Sequence, residues 1–488
     1  MSGKQLTKNY IYLIISQVSV NLLQLITVPY VSRVLEPEGI GVYSYAFAIM
    51  TYFSMFGTLG LNYYSQIEVA KQMDNKENRH KLFWECFLSK FLTLIIATIS
   101  FFAFTYFVNL PQKEIFWAVS ISLIGEVFNT SWYLIGTENF SYMASIPVIT
   151  RLSSLPLIFI FITQKSDLLL YVLIVQLANF FGNALMSIPI IKEHGFKPAN
   201  NLEIKKHLIN NLVYFIPTIA VTVYHALDKT MLGLIQETTV QNGYYEQASK
   251  IIQILTVVTT SLSMVVLPRV TFLEKEKKQE ELNYVHDRMF QAIFMIAFPM
   301  LFGIVSISER FVPMFFGADY MGSVPILNIL TILVLIIGLD NLIGAQGLTA
   351  RGLQKKYGYG TIIGLFCNLI LNTYLIKPYG GIGAAIASVI SESVILLCFI
   401  IFTWSYFSFK NMIKYAIKYC FYGLIMFFAV KESLIYVPNS ILGIILNILL
   451  GAIVYGFILL ITKDELTYLF IKALKEKFFP NIKNSSSQ

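Results

Sequence analysis

The chain has 488 residues, of which 56% are hydrophobic and only 13% are charged. About a quarter of the residues of a typical soluble domain are charged, so this composition excludes a soluble protein and predicts an integral membrane protein. The formal net charge of +8 does not indicate a nucleic-acid-binding protein, because the Lys and Arg residues lie between apolar runs and form no continuous basic surface.

Fourteen apolar runs follow one another along the chain, and each has the roughly 20 residues that a helix needs to cross a bilayer. They lie near residues 10–30, 40–62, 83–108, 115–136, 143–163, 168–191, 208–235, 248–267, 290–308, 322–346, 357–376, 383–408, 412–431 and 437–461. The connecting segments are short, so no soluble domain is expected. We therefore predict an all-α integral membrane protein with fourteen transmembrane helices.

The distribution of Lys and Arg predicts the orientation of these helices. With both termini in the cytoplasm, 26 of the 36 Lys and Arg residues fall in cytoplasmic segments, seven in outer segments and three inside spans. Positive residues are enriched on the cytoplasmic side of membrane proteins, and the loss of one span would invert every later segment. The alternation therefore predicts an even number of spans in the plasma membrane, with both termini cytoplasmic.

Residues 9–46 are predicted to form a transmembrane helix, a charged turn and the start of a second helix. Gln17, Asn21 and Gln24 stand at i, i+4 and i+7, which places three amides on one face of the first helix. Polar groups are costly in hydrocarbon, so this face is expected to line a protein interior or a hydrated cavity rather than lipid.

The same pattern returns 202 positions later, at residues 211–248. Seven of the 38 aligned pairs are identical, where chance gives roughly two or three. An offset of six spans preserves orientation, so the repeat predicts two parallel six-helix lobes followed by two C-terminal helices. The predicted domains are 1–200, 201–410 and 411–488, and the last of these contains spans 13 and 14 and a cytoplasmic tail.

Two cations lie inside predicted spans that begin on the cytoplasmic side. Lys90 and Arg151 are each about eight residues into their span, which corresponds to a depth of roughly 12 Å. Two cations at one depth would form a docking place for phosphate groups. The alternatives are that their side chains extend to the headgroups, or that they pair with Glu85 or Glu126.

Other polar residues recur at helical spacing inside the spans. Glu126 belongs to such a stripe in the fourth span, and His225 and Lys229 belong to one in the seventh. Each stripe by itself fits hydrogen bonding between helices, which is the commoner use of such residues. Stripes in both halves together favour a single hydrated cavity.

Acidic residues inside the spans are candidates for binding a coupling cation or proton. Asp340 and Glu392 are two such candidates in the second half, although structural pairing fits them as well. Asp228 is a third, but the adjacent Lys229 offers it a neutralising partner. The sequence leaves these alternatives open.

Motifs of enzyme chemistry do not occur in the sequence. The four cysteines lie apart in apolar segments, and there is no Walker A, HExxH or GxSxG motif. We therefore predict no catalytic residue, no metal site and no cofactor, and we expect that transport does not use ATP.

Several stretches, in order along nearly the whole chain, resemble the Wzx-type polysaccharide flippases of the multidrug/oligosaccharidyl-lipid/polysaccharide exporter superfamily. They are PYVSRVLEPEGIGVY at 29–43, WYLIGTENF at 132–140, LDKTMLG at 227–233, LPR at 267–269, FVPMFFGADY at 311–320, and the run from 344 to 392 that contains GGIGAA. Each motif is weak alone, but the ordered set is fairly specific.

The resemblance implies that the chain carries an undecaprenyl-pyrophosphate-linked oligosaccharide, a precursor of capsule, teichoic acid or a related surface polysaccharide. Two lobes would rock around a cationic cavity and flip this lipid to the outer leaflet, with Na⁺ or H⁺ as candidate coupling ions and polysaccharide assembly enzymes as candidate partners. The implied phosphate contacts are Lys90, Arg151 and Arg33, a thinner set than the several arginines of related lipid II flippases. The predicted glycan and cavity contacts are Gln17, Asn21, Gln24, Glu126, His225 and Lys229.

Two other function classes stay open at this point. A drug/cation antiporter of the same superfamily would share the lobes, but such proteins usually have twelve spans and acidic cation sites. A membrane-embedded polysaccharide-processing enzyme would need a large outer loop or a catalytic His/Asp set, and the sequence offers neither.

Overall fold

The computed structural model describes residues 3–478, apart from the side chains of 3–11, 13–15, 17, 18, 21, 216, 217, 220, 264, 265, 470 and 473–478. Helices account for nearly all of this part of the chain, and it contains no strand, so the predicted all-α class is confirmed. Within it, ten helices are long and apolar enough to cross a membrane.

The α-helices are α1 (Gly3–Thr58), α2 (Leu61–Lys71), α3 (Lys76–Phe107), α4 (Lys113–Val119), α5 (Ile121–Val127), α6 (Ser131–Gly136), α7 (Phe140–Phe161), α8 (Leu168–His194), α9 (Ile204–Asn210), α10 (Leu212–Ile235), α11 (Val240–Lys275), α12 (Gln279–Phe316), α13 (Ser323–Leu330), α14 (Ile332–Asp340), α15 (Gln354–Phe402), α16 (Phe409–Ser433), α17 (Ile441–Ile461) and α18 (Glu465–Phe478). A π-helix, Asn341–Leu348, continues directly from α14.

Two of the longest helices each contain one non-helical residue. α1 breaks at Glu36, which has φ 55° and ψ 176°, and Pro37 follows it. Proline lacks an N–H and is therefore tolerated at the start of a helix, so the charged turn predicted for this region is a single kink between two helical arms. α15 breaks at Gly380, with φ 54° and ψ −130°, a conformation that glycine adopts without a steric cost.

The predicted fourth span is divided into three short helices, α4, α5 and α6. Ser120 separates the first two, and Phe128, Asn129 and Thr130 separate the last two. Non-helical backbone inside a membrane is tolerated only where protein groups satisfy it. Here the ammonium of Lys90 donates to the carbonyl of Asn129 at 2.9 Å, so the break is satisfied from α3.

The chain divides into two compact units. The first contains Met1–Gln247 and Leu369–Ala384, and in it α1 packs against α3, α7 and α10. The second contains Ala248–Asn368 and Ala385–Gln488, and in it α12 packs against α14, α16 and α17. The lobe boundaries predicted from the repeat stay a prediction.

The two repeated hairpins meet within the first unit. A Cβ atom on Gly41 would collide with the backbone carbonyl of Thr239, and a Cβ atom on Gly243 would collide with that of Pro37. At the offset of 202 positions Gly41 is equivalent to Gly243, and Pro37 is equivalent to Thr239. The two contacts are therefore reciprocal: the glycine of each hairpin packs against the same backbone position of the other hairpin, as expected around a local two-fold axis.

Candidate functional site

A polar cavity of about 300 Å³ lies within the first unit, among α1, α5, α7 and α8. Its polar lining consists of Ser54, Ser122, Glu126, Asn129, Thr150, Asn179 and Asn183. Amides and hydroxyls both donate and accept hydrogen bonds, which suits a ligand rich in hydroxyl groups. Apolar side chains such as Phe47, Ile146 and Phe180 complete the wall.

The single carboxylate of this lining, Glu126, is the ion-pair partner of Lys90. Lys90 Nζ lies 3.0 Å from Glu126 Oε1, and the Lys90 side chain is 1% exposed whereas that of Glu126 is 18% exposed. Glu126 also accepts hydrogen bonds from the side chains of Asn62, at 3.1 Å, and Asn129, at 3.0 Å. The cavity therefore meets the carboxylate and not the ammonium. Pairing with Glu126 was one of the alternatives that the sequence left open for Lys90. The role of Lys90 in binding phosphate stays a prediction.

Arg151 on α7 lies in a different polar network. It interacts electrostatically with the hydroxyls of Tyr43 on α1 and Tyr171 on α8, whose rings meet edge-on with centroids 5.8 Å apart. Gln176 donates to the Tyr43 hydroxyl at 3.3 Å and accepts a bond from Ser122. Since Ser122 also lines the cavity, the network connects the cavity with the surroundings of Arg151.

Lys229 pairs with Glu246 and not with its sequence neighbour Asp228. Its Nζ lies 2.7 Å from Glu246 Oε2, and Ser44 donates to the same oxygen at 2.8 Å. Successive residues of a helix point about 100° apart, so Lys229 and Asp228 project from α10 in different directions. The neutralising couple expected from the sequence is therefore replaced by a contact between α10 and α11.

Asp228 is buried and held by two other helices. Tyr245 on α11 donates its hydroxyl hydrogen to one carboxylate oxygen, and Asn372 on α15 donates to the other at 2.7 Å. Tyr245 is the repeat equivalent of Tyr43. Each carboxylate oxygen of Asp228 thus accepts a hydrogen bond from a different helix of the first unit.

The second unit contains its own acidic pair. Asp340, at the end of α14, is buried and is an electrostatic neighbour of Glu392 on α15. The residues after Asp340 form the π-helix, and such departures from regular helix are frequent at functional sites. A proton or a cation between the two carboxylates would relieve their repulsion.

Of the other residues predicted for the site, Gln24, Arg33 and His225 are not among the residues that line this cavity. The side chains of Gln17 and Asn21 lie outside the described residues. Gln24 is half-buried, and Arg33 and His225 are exposed. Their predicted roles stay predictions.

Several lining residues were missed in the sequence analysis. Asn179 and Asn183 stand four positions apart on α8, and with Gln176 they form a polar face at i, i+3 and i+7. That spacing is the signal already used for the first helix, so it was available from the sequence. Glu246 carried a weaker signal, namely that its repeat equivalent, Ser44, is also polar.

Residues 6–274 match the sequence family described as "Polysaccharide biosynthesis protein", and this match covers more than half of the chain. The chain belongs to the polysaccharide biosynthesis protein family. This chain is similar to the Escherichia coli (strain K12) protein named "Putative O-antigen transporter", with 26% identity over 407 residues, which is 81% of this chain and 96% of that protein. The Staphylococcus aureus "Capsular polysaccharide biosynthesis protein CapF" is 24% identical over 413 residues, 81% of this chain and 99% of that one.

Solved structures with the same fold include membrane transporters. This polysaccharide biosynthesis family member is similar to lipid II flippase MurJ in an inward closed conformation, with a TM-score of 0.75 and 18% identity over 95% of this chain and 99% of MurJ. It is also similar to an inward-facing multidrug resistance transporter of the MATE family, with a TM-score of 0.62 and 16% identity over 80% of this chain and 98% of that transporter. The resemblance to Wzx-type flippases is confirmed, and the chain is a multi-pass membrane protein of the polysaccharide biosynthesis protein family.

Proposed function

We propose that this protein is a secondary transporter that flips an undecaprenyl-pyrophosphate-linked oligosaccharide from the inner to the outer leaflet of the plasma membrane. The observation that carries the proposal is the amide-lined cavity within a membrane-spanning unit of a polysaccharide biosynthesis family member. The three asparagines of the wall, Asn129, Asn179 and Asn183, are half-buried, and polar groups inside a membrane-spanning unit are costly without hydrogen-bond partners, so a hydroxyl-rich cargo explains their presence best. Capsule and teichoic-acid precursors both have this chemistry.

The proposed topology has fourteen spans with both termini cytoplasmic. Ten helices are candidate spans, and two of them are divided by the kinks at Glu36 and Gly380 into two crossings each, which gives twelve. The helix α10 and the broken series α4–α6 provide two more. The proposed lobes are residues 1–200 and 201–410, with 411–488 as the C-terminal pair of spans and the tail.

Arg151 is the proposed principal contact for the pyrophosphate, with Lys90 and Arg33 as further contacts. Arg151 has hydroxyl neighbours, Tyr43 and Tyr171, on which the Glu246 carboxylate also acts, and no ion pair of Arg151 within 4 Å is found among the described residues. Lys90 forms an ion pair with Glu126, so it could bind a phosphate only if the phosphate replaced the Glu126 carboxylate as its partner.

Glycan contact is proposed for the cavity wall and the polar faces close to it. The residues predicted from the sequence are Gln17, Asn21, Gln24, Glu126, His225 and Lys229, to which the cavity adds Asn179 and Asn183. Neutral amides pair well with sugar hydroxyls and tolerate changes of sugar identity, because each amide both donates and accepts.

Alternating access is proposed to include opening of the seam at which the repeated hairpins meet. In the proposed topology this seam lies at the outer face. Opening it would break the Ser44–Glu246 hydrogen bond, while the ion pair between Lys229 and Glu246 lies within residues 211–248 and would stay intact. Asp228 and the Asp340–Glu392 pair are the proposed sites at which Na⁺ or H⁺ binding drives this change.

A drug/cation antiporter is the second candidate function, and the similarity to a MATE transporter favours it at the level of fold. That similarity is weaker than the similarity to MurJ, with TM-scores of 0.62 and 0.75. The cavity lining contains one carboxylate, already paired with a lysine, which suits a neutral glycan better than an organic cation.

Deletion of the gene in its native host tests the proposal. Complete undecaprenyl-linked repeat units should accumulate in the cytoplasmic leaflet and disappear again when the wild-type gene is restored. A strain with normal surface glycan and altered efflux of drugs or cations would instead establish the antiporter.

A further inference from the structure

α18 is joined to the last membrane-crossing helix by a very short segment. Only Thr462, Lys463 and Asp464 separate the end of α17 from the start of α18, and three residues span at most about 11 Å. The last turns of α17 carry exposed apolar side chains, among them Phe457 and Ile461. α18 therefore starts close to the membrane surface at which α17 ends.

The first turn of α18 is fixed against two other helices of the second unit. Asp464 is 2% exposed and accepts hydrogen bonds from Lys418 and Tyr419 on α16, the latter at 2.8 Å. It also accepts the backbone N–H of Thr467 at 3.1 Å, which caps the new helix. Glu465 forms an ion pair with Arg288 on α12. The direction in which α18 leaves the membrane is thus set by the contacts of the buried Asp464 and by a more exposed ion pair of Glu465.

Four lysines lie exposed around this junction. Lys410 and Lys414 precede Lys418 at intervals of four residues on α16, while Lys463 lies just before α18 and Lys472 lies two turns into it. Among the described residues, none of these four has a carboxylate within 4 Å. Lys418, four residues after Lys414 on α16, donates a hydrogen bond to Asp464, so this series of lysines ends beside the first turn of α18.

Exposed apolar side chains accompany these cations. Trp404 is 68% exposed, Ile417 67% and Tyr468 66%. Tryptophan and tyrosine are enriched at the level of lipid headgroups, where one part of the ring is apolar and another part is wet. Lysines and interfacial aromatics together are the composition of a surface that lies in the headgroup layer.

We propose that Lys410, Lys414, Lys463 and Lys472 form a binding surface for the anionic headgroups of phospholipids. We call these four residues the lysine surface. Its occupant is the phosphate of a lipid such as phosphatidylglycerol, because each lysine close to an anionic leaflet strengthens attachment about fivefold and the surface offers four. Placing it at the cytoplasmic leaflet rests on the topology in the proposed function.

Native mass spectrometry of the purified full-length protein in mixed micelles with equal amounts of phosphatidylglycerol and phosphatidylcholine tests the proposal. The wild type should retain phosphatidylglycerol at least about tenfold more than phosphatidylcholine. Replacement of all four lysines of the lysine surface by Gln should reduce this preference at least fivefold. The control replaces four exposed lysines of the first unit, Lys76, Lys192, Lys197 and Lys205, by Gln and should keep the preference within twofold.

Equal losses in the two variants would overturn the proposal in favour of general attraction between basic protein and anionic lipid. An unchanged preference in the lysine-surface variant would also overturn it, and would direct the search to an acidic protein partner. A thermal unfolding curve for each variant establishes that it is folded. The measurement needs no transport, so its failure would leave the flippase proposal standing, and failure of the flippase proposal would leave the lipid result standing.

Discussion

Ser44 donates a hydrogen bond of 2.8 Å to Glu246, the residue 202 positions further along the chain. These two residues occupy the same position in the two copies of the repeat. A residue meets its own equivalent only close to the axis that relates the copies, so this bond marks the axis of the local pseudo-symmetry. Lys229 shares the Glu246 carboxylate, so an ion pair lies beside the axis.

Gly41→Ala and Gly243→Ala should each destabilise the protein by about 1–3 kcal/mol, because the added methyl group collides with backbone that cannot rotate away. Thermal unfolding in detergent measures the effect. Gly456→Ala is the matched control, since a Cβ there meets nothing within 4 Å. Equal unfolding temperatures for all three variants would show that the hairpins do not approach so closely.

Lys90→Met should lower the stability by about 3–5 kcal/mol, because it leaves the Glu126 carboxylate without its ion-pair partner. The double variant Lys90→Met with Glu126→Met should recover much of this loss. A double variant no more stable than Lys90→Met alone would contradict it.

Arg151→Gln should reduce flipping at least about tenfold while changing the unfolding temperature little, because Arg151 has no carboxylate within 4 Å among the described residues to leave unpaired. Arg151→Lys keeps the charge but loses the bidentate geometry and should retain part of the activity. The assay is the amount of lipid-linked oligosaccharide that reaches the outer leaflet. Normal flipping by Arg151→Gln would remove Arg151 from the proposed phosphate contacts.

Asn179→Leu and Asn183→Leu should slow flipping because they replace hydrogen-bonding groups of the cavity wall with apolar groups of similar shape. Their unfolding temperatures should not fall. Thr373→Val is the control, since the Thr373 hydroxyl bonds only to its own helix, at Leu369. If the asparagine variants flip at the wild-type rate, the cavity is not the glycan path.

The stability of the C-terminal junction should depend on pH through Asp464. Burial opposes the ionisation of this carboxyl group, but the hydrogen bonds from Lys418, Tyr419 and the Thr467 backbone outweigh it and hold the pKa of Asp464 below its usual value. A carboxylate whose pKa is lowered by folding stabilises the protein above its unfolded pKa, near 3.9, and loses that effect as the pH falls through its folded pKa. Asp464→Asn should therefore be less stable than the wild type at pH 7, by about 1–3 kcal/mol, and this difference should shrink below about pH 4. A difference that is the same at pH 7 and pH 3 would contradict this assignment.

Much of the architecture follows from the sequence, because hydropathy and helical period are local properties. The apolar runs predicted the helices. Seven identities between the two copies of the repeat were enough to align Gly41 with Gly243, and in the structure these glycines make equivalent contacts with Thr239 and Pro37. The same period would have found Asn179 and Asn183. The broken fourth span was not predicted, since its interruption at Asn129 depends on an ammonium group supplied by α3.

The sequence by itself determined that this is an all-helical membrane protein with an internal repeat and a polar interior. Only the tertiary structure decided which charges meet: Lys90 with Glu126, and Lys229 with Glu246 in place of Asp228. The physical reason is that helical spacing defines the face on which a side chain lies but not the helix that covers that face. The covering helix depends on packing between segments far apart in the chain, so partners of buried charges become known only when that packing is known.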